Sequence, residues 1–431
     1  MPYDLLERIN GHRARVAVLG QGYIGLPLSM RATEVGFDVI GFDISDGRVT
    51  SLRDGISHIE DVPSDDVAAA LARSYRPTSD PKDLAEFDVA VITVPTPLRE
   101  GAPDLSFVEA AARSLVPWLR PGVLVVLEST TYPGTTTEFV APVLAESGLD
   151  IGSDVALGYS PERTDPGNPT WNLVTTPKVV SGIDAASLRL VEAFYGQLVN
   201  KTVPLESTAE AELSKLLENT FRHVNIALVN ELAMFARDLG VDIWRAIDAA
   251  STKPYGFMPF TPGPGVGGHC LPIDPSYLSW EVKRRIGQTF RFIELANDIN
   301  SHMPDYVVAR IVTLLNREKR AVRGTRILVL GLAYKAGTSD ARESPSVTIL
   351  DRLSAMGADL RACDPHVAAV DVERPDVPLV PFGAEELQAS DLAVVLVDHQ
   401  EFDPAVIAEH APLVFDAKAM LRGHEFRGEL L

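Results

Sequence analysis

The sequence predicts an α/β protein in which two parallel-sheet domains are joined by a central helical domain with a long spine helix. Three observations predict it. Short β-rich runs alternate with helical stretches through the first third of the chain. The same alternation returns after Arg323. Between the two, Glu206–Leu239 carries apolar residues at helical spacing, with few breakers before Gly240.

In chain order, Arg15–Leu19 reads as the first strand, Ile24–Val35 as a helix and Asp38–Asp43 as the second strand. Asp88–Thr93 and Val123–Glu128 are further buried strands. The repeated strand-helix-strand order, with turn residues between, implies a parallel, doubly wound sheet. Val155–Gly158, Lys178–Ser181 and Lys201–Val203 complete it. In the long helix, Leu213, Leu216, Leu217, Phe221, Val224 and Leu228 keep helical spacing. It exceeds what a crossover needs, so it is read as a spine between domains or as a dimer-forming helix. Pro275–Ile286 and Phe290–Leu315 are two more helices, and the Pro- and Gly-rich stretch from Lys253 to Asp274 is a candidate functional loop. Beyond Arg323, Arg326–Leu330, Asp359–Cys363 and Leu392–Val397 are strands and Val347–Met356 is a helix, which makes a second Rossmann-like unit.

Composition narrows the function classes. With 431 residues, 46% hydrophobic and 23% charged, the chain has material for more than one core. It has no run of the ~18 apolar residues that a membrane helix needs. Met1 to Arg15 contains no apolar h-region, so neither a membrane partner nor a signal peptide is expected. Acidic residues outnumber basic ones 59 to 39, a formal charge of −20, which disfavours nucleic acid as a partner. The two cysteines, Cys270 and Cys363, stand in unlike contexts. That argues against a disulfide framework or a metal site and for a reducing cytoplasm.

Gly20, Gly22 and Gly25 form a G-x-G-x-x-G between the first strand and the first helix. Gly20 permits the tight turn, Gly22 lets a pyrophosphate approach the backbone, and Gly25 allows close helix-strand packing. Tyr23 and Ile24 complete the turn, so the helix N-terminus faces the phosphates. Asp43, 18 residues past Gly25, stands where a carboxylate would hold the adenosine ribose. It would repel a 2'-phosphate, so NAD is expected as cofactor rather than NADP. Arg48 either reaches the NAD phosphates or is a solvated surface arginine.

The stretch Gly263-Pro-Gly-Val-Gly-Gly-His-Cys-Leu-Pro-Ile-Asp274 is the most unusual in the chain. Its glycines allow a ligand close to the backbone and offer amides to developing negative charge. In that setting Cys270 is a candidate nucleophile, whereas Cys363, ending an apolar strand, reads as a buried core thiol. His269 reads as structural. Asp274 is either a helix cap before Pro275 or an acidic partner of the site. Lys215 and Asn219, four apart, share one helix face, which points either to solvent or into a cleft.

These residues resemble a known family. Gly20–Gly25 with Asp43, Val94-Pro-Thr-Pro97, Glu128-Ser-Thr130, Ser160-Pro-Glu-Arg163, Glu212-Leu-Ser-Lys-Leu-Leu-Glu-Asn219, Gly267-Gly-His-Cys-Leu-Pro-Ile-Asp274 and Tyr334-Lys335 with Asp340–Pro345 follow the order of the UDP-glucose/GDP-mannose dehydrogenase family. Glu162–Asn168 and Lys253–Phe260 are most similar to its UDP-N-acetylglucosamine 6-dehydrogenase branch. The resemblance implies an NAD domain over 1–205, a central helical dimerisation domain over 206–318 and a UDP-sugar domain over 319–431.

It also implies roles. Cys270 would be the nucleophile; Lys215, Asn219 and Asp274 would handle water and the oxyanion, and Glu162 would assist thioester hydrolysis. Thr96 and Thr130 would line the nicotinamide side, and Arg342 would reach the NAD pyrophosphate. Tyr334 and Lys335 would hold the UDP-sugar, with Arg163, Gly267 and Gly268 beside it. Tyr255 and Phe257 would shape the pocket for the sugar's 2-substituent. The chain departs from the family twice. Lys253-Pro-Tyr-Gly-Phe stands where the UDP-glucose branch has an arginine given to the neighbouring subunit, and Lys418 replaces a nucleotide-gripping arginine.

The expected reaction is a four-electron oxidation of a sugar CH2OH through a thiohemiacetal and a thioester on Cys270. UDP-N-acetylglucosamine is the first-choice substrate, ahead of UDP-glucose and UDP-N-acetylmannosamine. Two other readings are a two-electron dehydrogenase of the 6-phosphogluconate type and a non-catalytic nucleotide-sugar sensor. The first has no use for the Gly-Gly-His-Cys loop. The second has none for Glu162, Lys215, Asn219, Cys270 and Asp274 together.

Overall fold

The computed structural model describes residues 2–164, 168, 170–268, 271–368 and 376–431. The chain divides into two compact units, Met1–Glu218 and Asn219–Leu431.

In the first unit α1 (Pro2–Asn10) precedes β1 (Arg15–Leu19), α2 (Gly25–Glu34), β2 (Asp38–Phe42), α3 (Asp46–Arg53), α4 (Ser64–Arg73), β3 (Tyr75–Thr78) and β4 (Val89–Ile92). A small hairpin of β5 (Leu98–Arg99) and β6 (Ala102–Pro103) turns through Glu100 and Gly101, both at positive φ. Then come α5 (Ser106–Leu115), β7 (Val123–Leu127), α6 (Ala141–Ala145), β8 (Val155–Tyr159), β9 (Lys178–Gly182), α7 (Ala185–Leu198) and β10 (Thr202–Leu205).

One sheet forms in the order β10-β9-β8-β7-β4-β1-β2-β3. Its central strands are buried along their whole length, as continuous apolar runs require when helices cover both faces. Alternate residues serve separate cores: Val16, Val18, Val89, Val91 and Val126 on one face, Ala17, Leu19, Ile92, Val125 and Leu127 on the other.

One expectation is corrected. β9 pairs antiparallel with β8, Gly158 opposite Gly182 and Tyr159 opposite Ser181, and β10 runs parallel to β9. The sheet is therefore not parallel throughout. The described residues between β8 and β9 hold no helix, and without such a crossover the chain pairs with its neighbour antiparallel. β3 was not expected either. Its Pro77 and Arg76 suit only an edge strand, and it pairs with β2 alone.

Helix α8 (Thr208–Asp238) runs 31 residues, about 46 Å at 1.5 Å per residue, through the division between the units. Leu216, Ala227 and Ala233 are buried, whereas Leu213, Leu217, Phe221 and Leu228 are exposed.

The second unit continues with α9 (Ile243–Ser251), α10 (Asp274–Ile286), α11 (Arg291–Arg317), β11 (Arg326–Leu330), α12 (Pro345–Ala355), β12 (Asp359–Cys363), α13 (Ala384–Ala389), β13 (Leu392–Val395), α14 (Pro404–His410), β14 (Val414–Asp416) and β15 (Gly428–Leu430). Its sheet is all parallel, in the order β12-β11-β13-β14-β15. Cys363 lies in one of its cores, and burial pushes the thiol up to about 12, so it is an inert core residue.

Both units repeat one turn. Gly20 and Gly331 follow the first strand of their sheets at φ 96° and 94°. A Cβ on Gly20 would lie 2.8 Å from the Thr93 carbonyl oxygen, and on Gly331 2.4 Å from Val397 Cβ. Only glycine fits either position. An aspartate directly follows the next strand in each unit, Asp43 and Asp364. Asp364 accepts the amides of Leu332, Ala333, His366 and Val367. It also accepts His399 Nε2, while His399 Nδ1 accepts the Gly337 amide.

Candidate active site

The glycine turn has the geometry a pyrophosphate needs. A Cβ on Gly25 would stand 1.8 Å from the Gly20 carbonyl oxygen and 2.5 Å from Thr93 Oγ1, so this glycine is required by helix-strand packing. A Cβ on Gly22 would meet no protein atom within 4 Å. Internal packing therefore does not demand glycine there; close approach from outside does. The turn sits at the N-terminus of α2, with Tyr23 exposed and Ile24 half-buried, where backbone N–H groups and the helix dipole favour phosphate. The strand order reverses between β1 and β4, which is where such sheets bind ligands.

Asp43 is buried, and its carboxylate accepts the amides of Gln21 and Ser45 at 2.8 and 2.9 Å. Arg48 Nη1 pairs with Asp43 Oδ2 at 2.8 Å, so it is not simply a solvated arginine. The donors keep Asp43 oriented at the strand end, the place of a ribose-binding carboxylate. The residues present thus fit a dinucleotide with an unphosphorylated ribose. Thr96 and Thr130 follow β4 and β7 at the same edge and are half-buried.

The two alternatives for Lys215 are now distinguished. Its residue is 9% exposed and its Nζ donates to the Glu162 carbonyl at 2.6 Å, so it does not face solvent. Three residues earlier on α8, Glu212 accepts the amides of Gly134 and Thr136 and the Thr136 hydroxyl, at 2.5, 2.8 and 2.7 Å. Burial pushes its carboxyl up to about 7 against these donors. The Glu162 carboxylate accepts the amides of Arg163 and Thr164 and pairs with Lys178 at 2.8 Å. Arg163 pairs with Glu218 at 2.6 Å and donates to the Pro177 carbonyl.

Lys178 also pairs with Glu128. Burial alone would raise Glu162, yet the Lys178 ammonium and the Thr164 donors hold it down to about 2. Burial dominates at Glu128 and lifts it to about 7 although Lys178 is bound. No role was read for Glu128 or Lys178 from sequence. The available signal was a charged residue at the end of an otherwise apolar strand run, at Val123–Glu128 and at Lys178–Ser181.

In the second unit Asn219, 5% exposed, donates its Nδ2 to Asp274 Oδ2 at 2.5 Å. Asp274 is the first residue of α10 rather than its N-cap, which is Ile273. Glycines 267 and 268 pack on Tyr334: a Cβ on Gly268 would lie 2.7 Å from the tyrosine ring, and on Gly267 2.7 Å from the Glu343 carbonyl oxygen. The loop and the Tyr334-Lys335 turn thus meet. Lys335 Nζ lies 6.0 Å from the Tyr334 ring centroid. Arg342 grips Asp340 with two bonds of 2.9 Å, and Lys418 pairs with Asp398 at 3.3 Å. Lys253 sits over the Tyr255 ring, and Tyr255 and Phe257 are exposed. Cys270 and His269 lie outside the described residues, as do Asp165–Gly167 of the Glu162–Asn168 stretch.

Among the described residues, His366, His399 and Glu401 are close enough to invite a metal ion. Both ring nitrogens of His399 are already engaged, by Gly337 and Asp364, so it has no lone pair to give.

A glycine turn built for a pyrophosphate, a carboxylate for a free ribose and buried polar side chains on and beside α8 define an NAD-dependent oxidoreductase. Residues 14–199, 209–302 and 328–423 match, in turn, the NAD binding, central and UDP binding domains of the UDP-glucose/GDP-mannose dehydrogenase family. A UDP-N-acetyl-D-glucosamine 6-dehydrogenase from Pseudomonas aeruginosa is 37% identical over 393 residues, 90% of this chain and 91% of that protein. A UDP-N-acetyl-D-mannosamine dehydrogenase from Pyrococcus horikoshii is 35% identical over 390 residues, 90% of each chain. The solved structure of a UDP-D-ManNAc dehydrogenase from Pyrococcus horikoshii matches with a TM-score of 0.86 at 33% identity, over 96% of this chain and 98% of that one. The chain belongs to the UDP-glucose/GDP-mannose dehydrogenase family and is an NAD-dependent UDP-sugar dehydrogenase.

Proposed function

We propose that this enzyme oxidises C6 of UDP-N-acetylglucosamine to the carboxylate through a covalent intermediate on Cys270. The observation that carries the reading is the burial of Lys215 and Asn219, one turn apart on α8, each held by a hydrogen bond to a protein partner. Buried polar groups need hydrogen-bond partners, which both have, and these are the types that proton transfer and oxyanion stabilisation require.

Gly20, Gly22, Tyr23, Ile24, Gly25, Asp43 and Arg48 would hold NAD, with Thr96 and Thr130 toward its nicotinamide and Arg342 toward its pyrophosphate. Bound there in succession, two NAD molecules would each accept one of the two hydrides that leave C6. Lys215 takes the hydroxyl proton. The Cys270 thiolate adds to the aldehyde carbon and keeps it on the enzyme, so no hydrated aldehyde has to rebind. Asn219 donates to the developing oxyanion. Release of the thioester needs a water oriented by a carboxylate, for which Asp274 and Glu162 are the candidates. Tyr334, Lys335 and Lys418 hold the UDP-sugar, with Arg163, Gly267, Gly268 and Lys253 beside it.

The 2-acetamido sugar is favoured by the Lys253–Phe260 stretch and by the acetamido sugars in the names of the relatives. Tyr255 and Phe257 are the side chains that would meet that group. A homodimer is supported by the exposed stripe Leu213, Leu217, Phe221, Leu228, Leu232 and Phe235 along α8, too long an apolar face to leave in water. A reducing cytoplasmic setting fits the unpaired, buried Cys363. No described helix is long and apolar enough to cross a membrane.

The deciding experiment counts NADH formed per limiting sugar nucleotide, with UDP-N-acetylglucosamine and UDP-glucose in parallel. Two NADH per UDP-N-acetylglucosamine, abolished as steady turnover to acid by Cys270→Ser, is the expected result. One NADH per sugar, or uronate steadily formed by Cys270→Ser, overturns the covalent route. Two NADH from UDP-glucose alone overturns the choice of sugar.

A further inference from the structure

The buried pair Glu128–Lys178, which meets Glu162, has no part in the chemistry above, and its position follows from the reversal of β9. A parallel β9 would bring its last residue to the cofactor edge of the sheet. The antiparallel β9 brings its first, Lys178, to the place where β8 has just ended. The Ser160 hydroxyl donates to the Val179 carbonyl at 2.7 Å and fixes this level. Lys178 then reaches Glu128 at the end of β7 and Glu162 Oε2 at 2.8 Å. Tyr195 from α7 closes the cluster, its hydroxyl 3.3 Å from Glu128 Oε2.

Glu128 and Lys178, both removed from water, carry a desolvation cost, and apolar replacements of such groups are often neutral or stabilising. One carboxylate would suffice to neutralise one lysine. The second, Glu162, is bound at both oxygens: Oε1 accepts the Arg163 and Thr164 amides at 2.8 and 2.6 Å, and Oε2 accepts Lys178. The side chain is folded back on its own backbone and locks the turn at residues 162–164. The main-chain carbonyl of the same residue accepts a hydrogen bond from Lys215 Nζ at 2.6 Å.

We propose that Lys178, backed by Glu128, is a positioning residue that locks the Glu162 turn so that its carbonyl anchors Lys215. The inference rests on the reading of Lys215 as the proton acceptor.

The test compares wild type, Lys178→Arg, Lys215→Ala and the double variant Glu128→Met/Lys178→Met, which removes the cluster's lysine and its backing carboxylate together and so protects the fold. Reductive methylation with formaldehyde, read by peptide mass spectrometry, reports how firmly Lys215 is held, without substrate. Turnover is read as NADH formation from NAD and UDP-N-acetylglucosamine, or from UDP-glucose if that is the sugar turned over. The folded double variant is expected to label Lys215 at least about threefold faster and to lose at least about tenfold in kcat with little change in KM for NAD. Lys178→Arg should recover part of the kcat. Unchanged labelling, or wild-type kcat, in a folded double variant overturns the proposal. Wild-type turnover by Lys215→Ala overturns the role of Lys215 itself, and the labelling result then stands apart as a statement about anchoring alone.

Discussion

Replacing Gly25 and Gly22 by alanine should have opposite consequences, although the two glycines belong to one motif. A Cβ on Gly25 would sit 1.8 Å from the Gly20 carbonyl oxygen and 2.5 Å from Thr93 Oγ1. Neither neighbour can yield easily, because Thr93 Oγ1 already donates to the Leu19 and Gly20 carbonyls at 2.9 and 2.8 Å. Relief requires α2 to move off β1 by more than about 1 Å, an overpacking that costs about 3 kcal/mol. At roughly 2–4 °C per kcal/mol for a unit of this size, Tm falls by about 6–12 °C. Gly22 has no positive φ and nothing within 4 Å of its Cβ. Alanine there leaves the fold unchanged or stabilises it by up to about 1 kcal/mol through the unfolded chain. The same methyl group would stand where a pyrophosphate approaches, so KM for NAD should rise at least about tenfold, equivalent to about 1.4 kcal/mol. Differential scanning fluorimetry without ligand and steady-state NAD kinetics suffice. A Gly22→Ala enzyme with unchanged KM for NAD would refute the assignment of this turn to the pyrophosphate. A Gly25→Ala enzyme with wild-type Tm would refute the packing argument.

Asp43→Ala removes the charge that repels a 2'-phosphate and frees Arg48 from its 2.8 Å ion pair, so the ratio of kcat/KM for NADP over NAD should rise at least about tenfold. No change would mean that selection lies elsewhere. Asp364 is held well below the usual carboxylate range: burial opposes this, but His399 and the backbone amides outweigh it. Its contribution is therefore fully present above the ordinary carboxyl value of about 3.9 and is lost as pH falls toward the folded value. Asp364→Asn should lower Tm at pH 7 and flatten the acid limb of Tm below about pH 4; a parallel acid limb would contradict it. Leu232→Glu with Phe235→Glu should halve the mass seen by sedimentation velocity, and an unchanged dimer would move the interface off this stripe of α8.

Much of the fold was legible because its signals are local. Arg15–Leu19, Arg326–Leu330 and Asp359–Cys363 are apolar runs between turn residues, and the structure returns strands with those bounds. Helix α8 followed from spacing within 31 residues, needing no knowledge of its partners. The direction of β9 was not legible, because it depends on what the chain does between Tyr159 and Lys178 and not on the strand itself. Missing that reversal also hid the cluster, since Glu128 and Lys178 stand 50 positions apart and meet only through it. The polar face of α8 was visible as Lys215 and Asn219, but burial, which separates a solvated pair from one held inside the protein, is a property of the packed chain. Glu212 had no task in the sequence, and its three donors come from Gly134 and Thr136, at the start of a helical segment distant in the chain.

The repeated turn after β1 and β11 sets a limit for redesign. On glycine geometry alone, the second unit looks like ready stock for a second cofactor site, since Gly331 reproduces the φ of Gly20 within a few degrees. The obstacle is Asp364. Its two oxygens already serve four backbone amides and His399, against two amides and a half-exposed arginine at Asp43. A carboxylate offers about four lone-pair directions, so none is left at Asp364 for a ribose hydroxyl. An engineer grafting nicotinamide chemistry onto this sheet would first have to release that aspartate, starting with His399. Only then would the glycine matter.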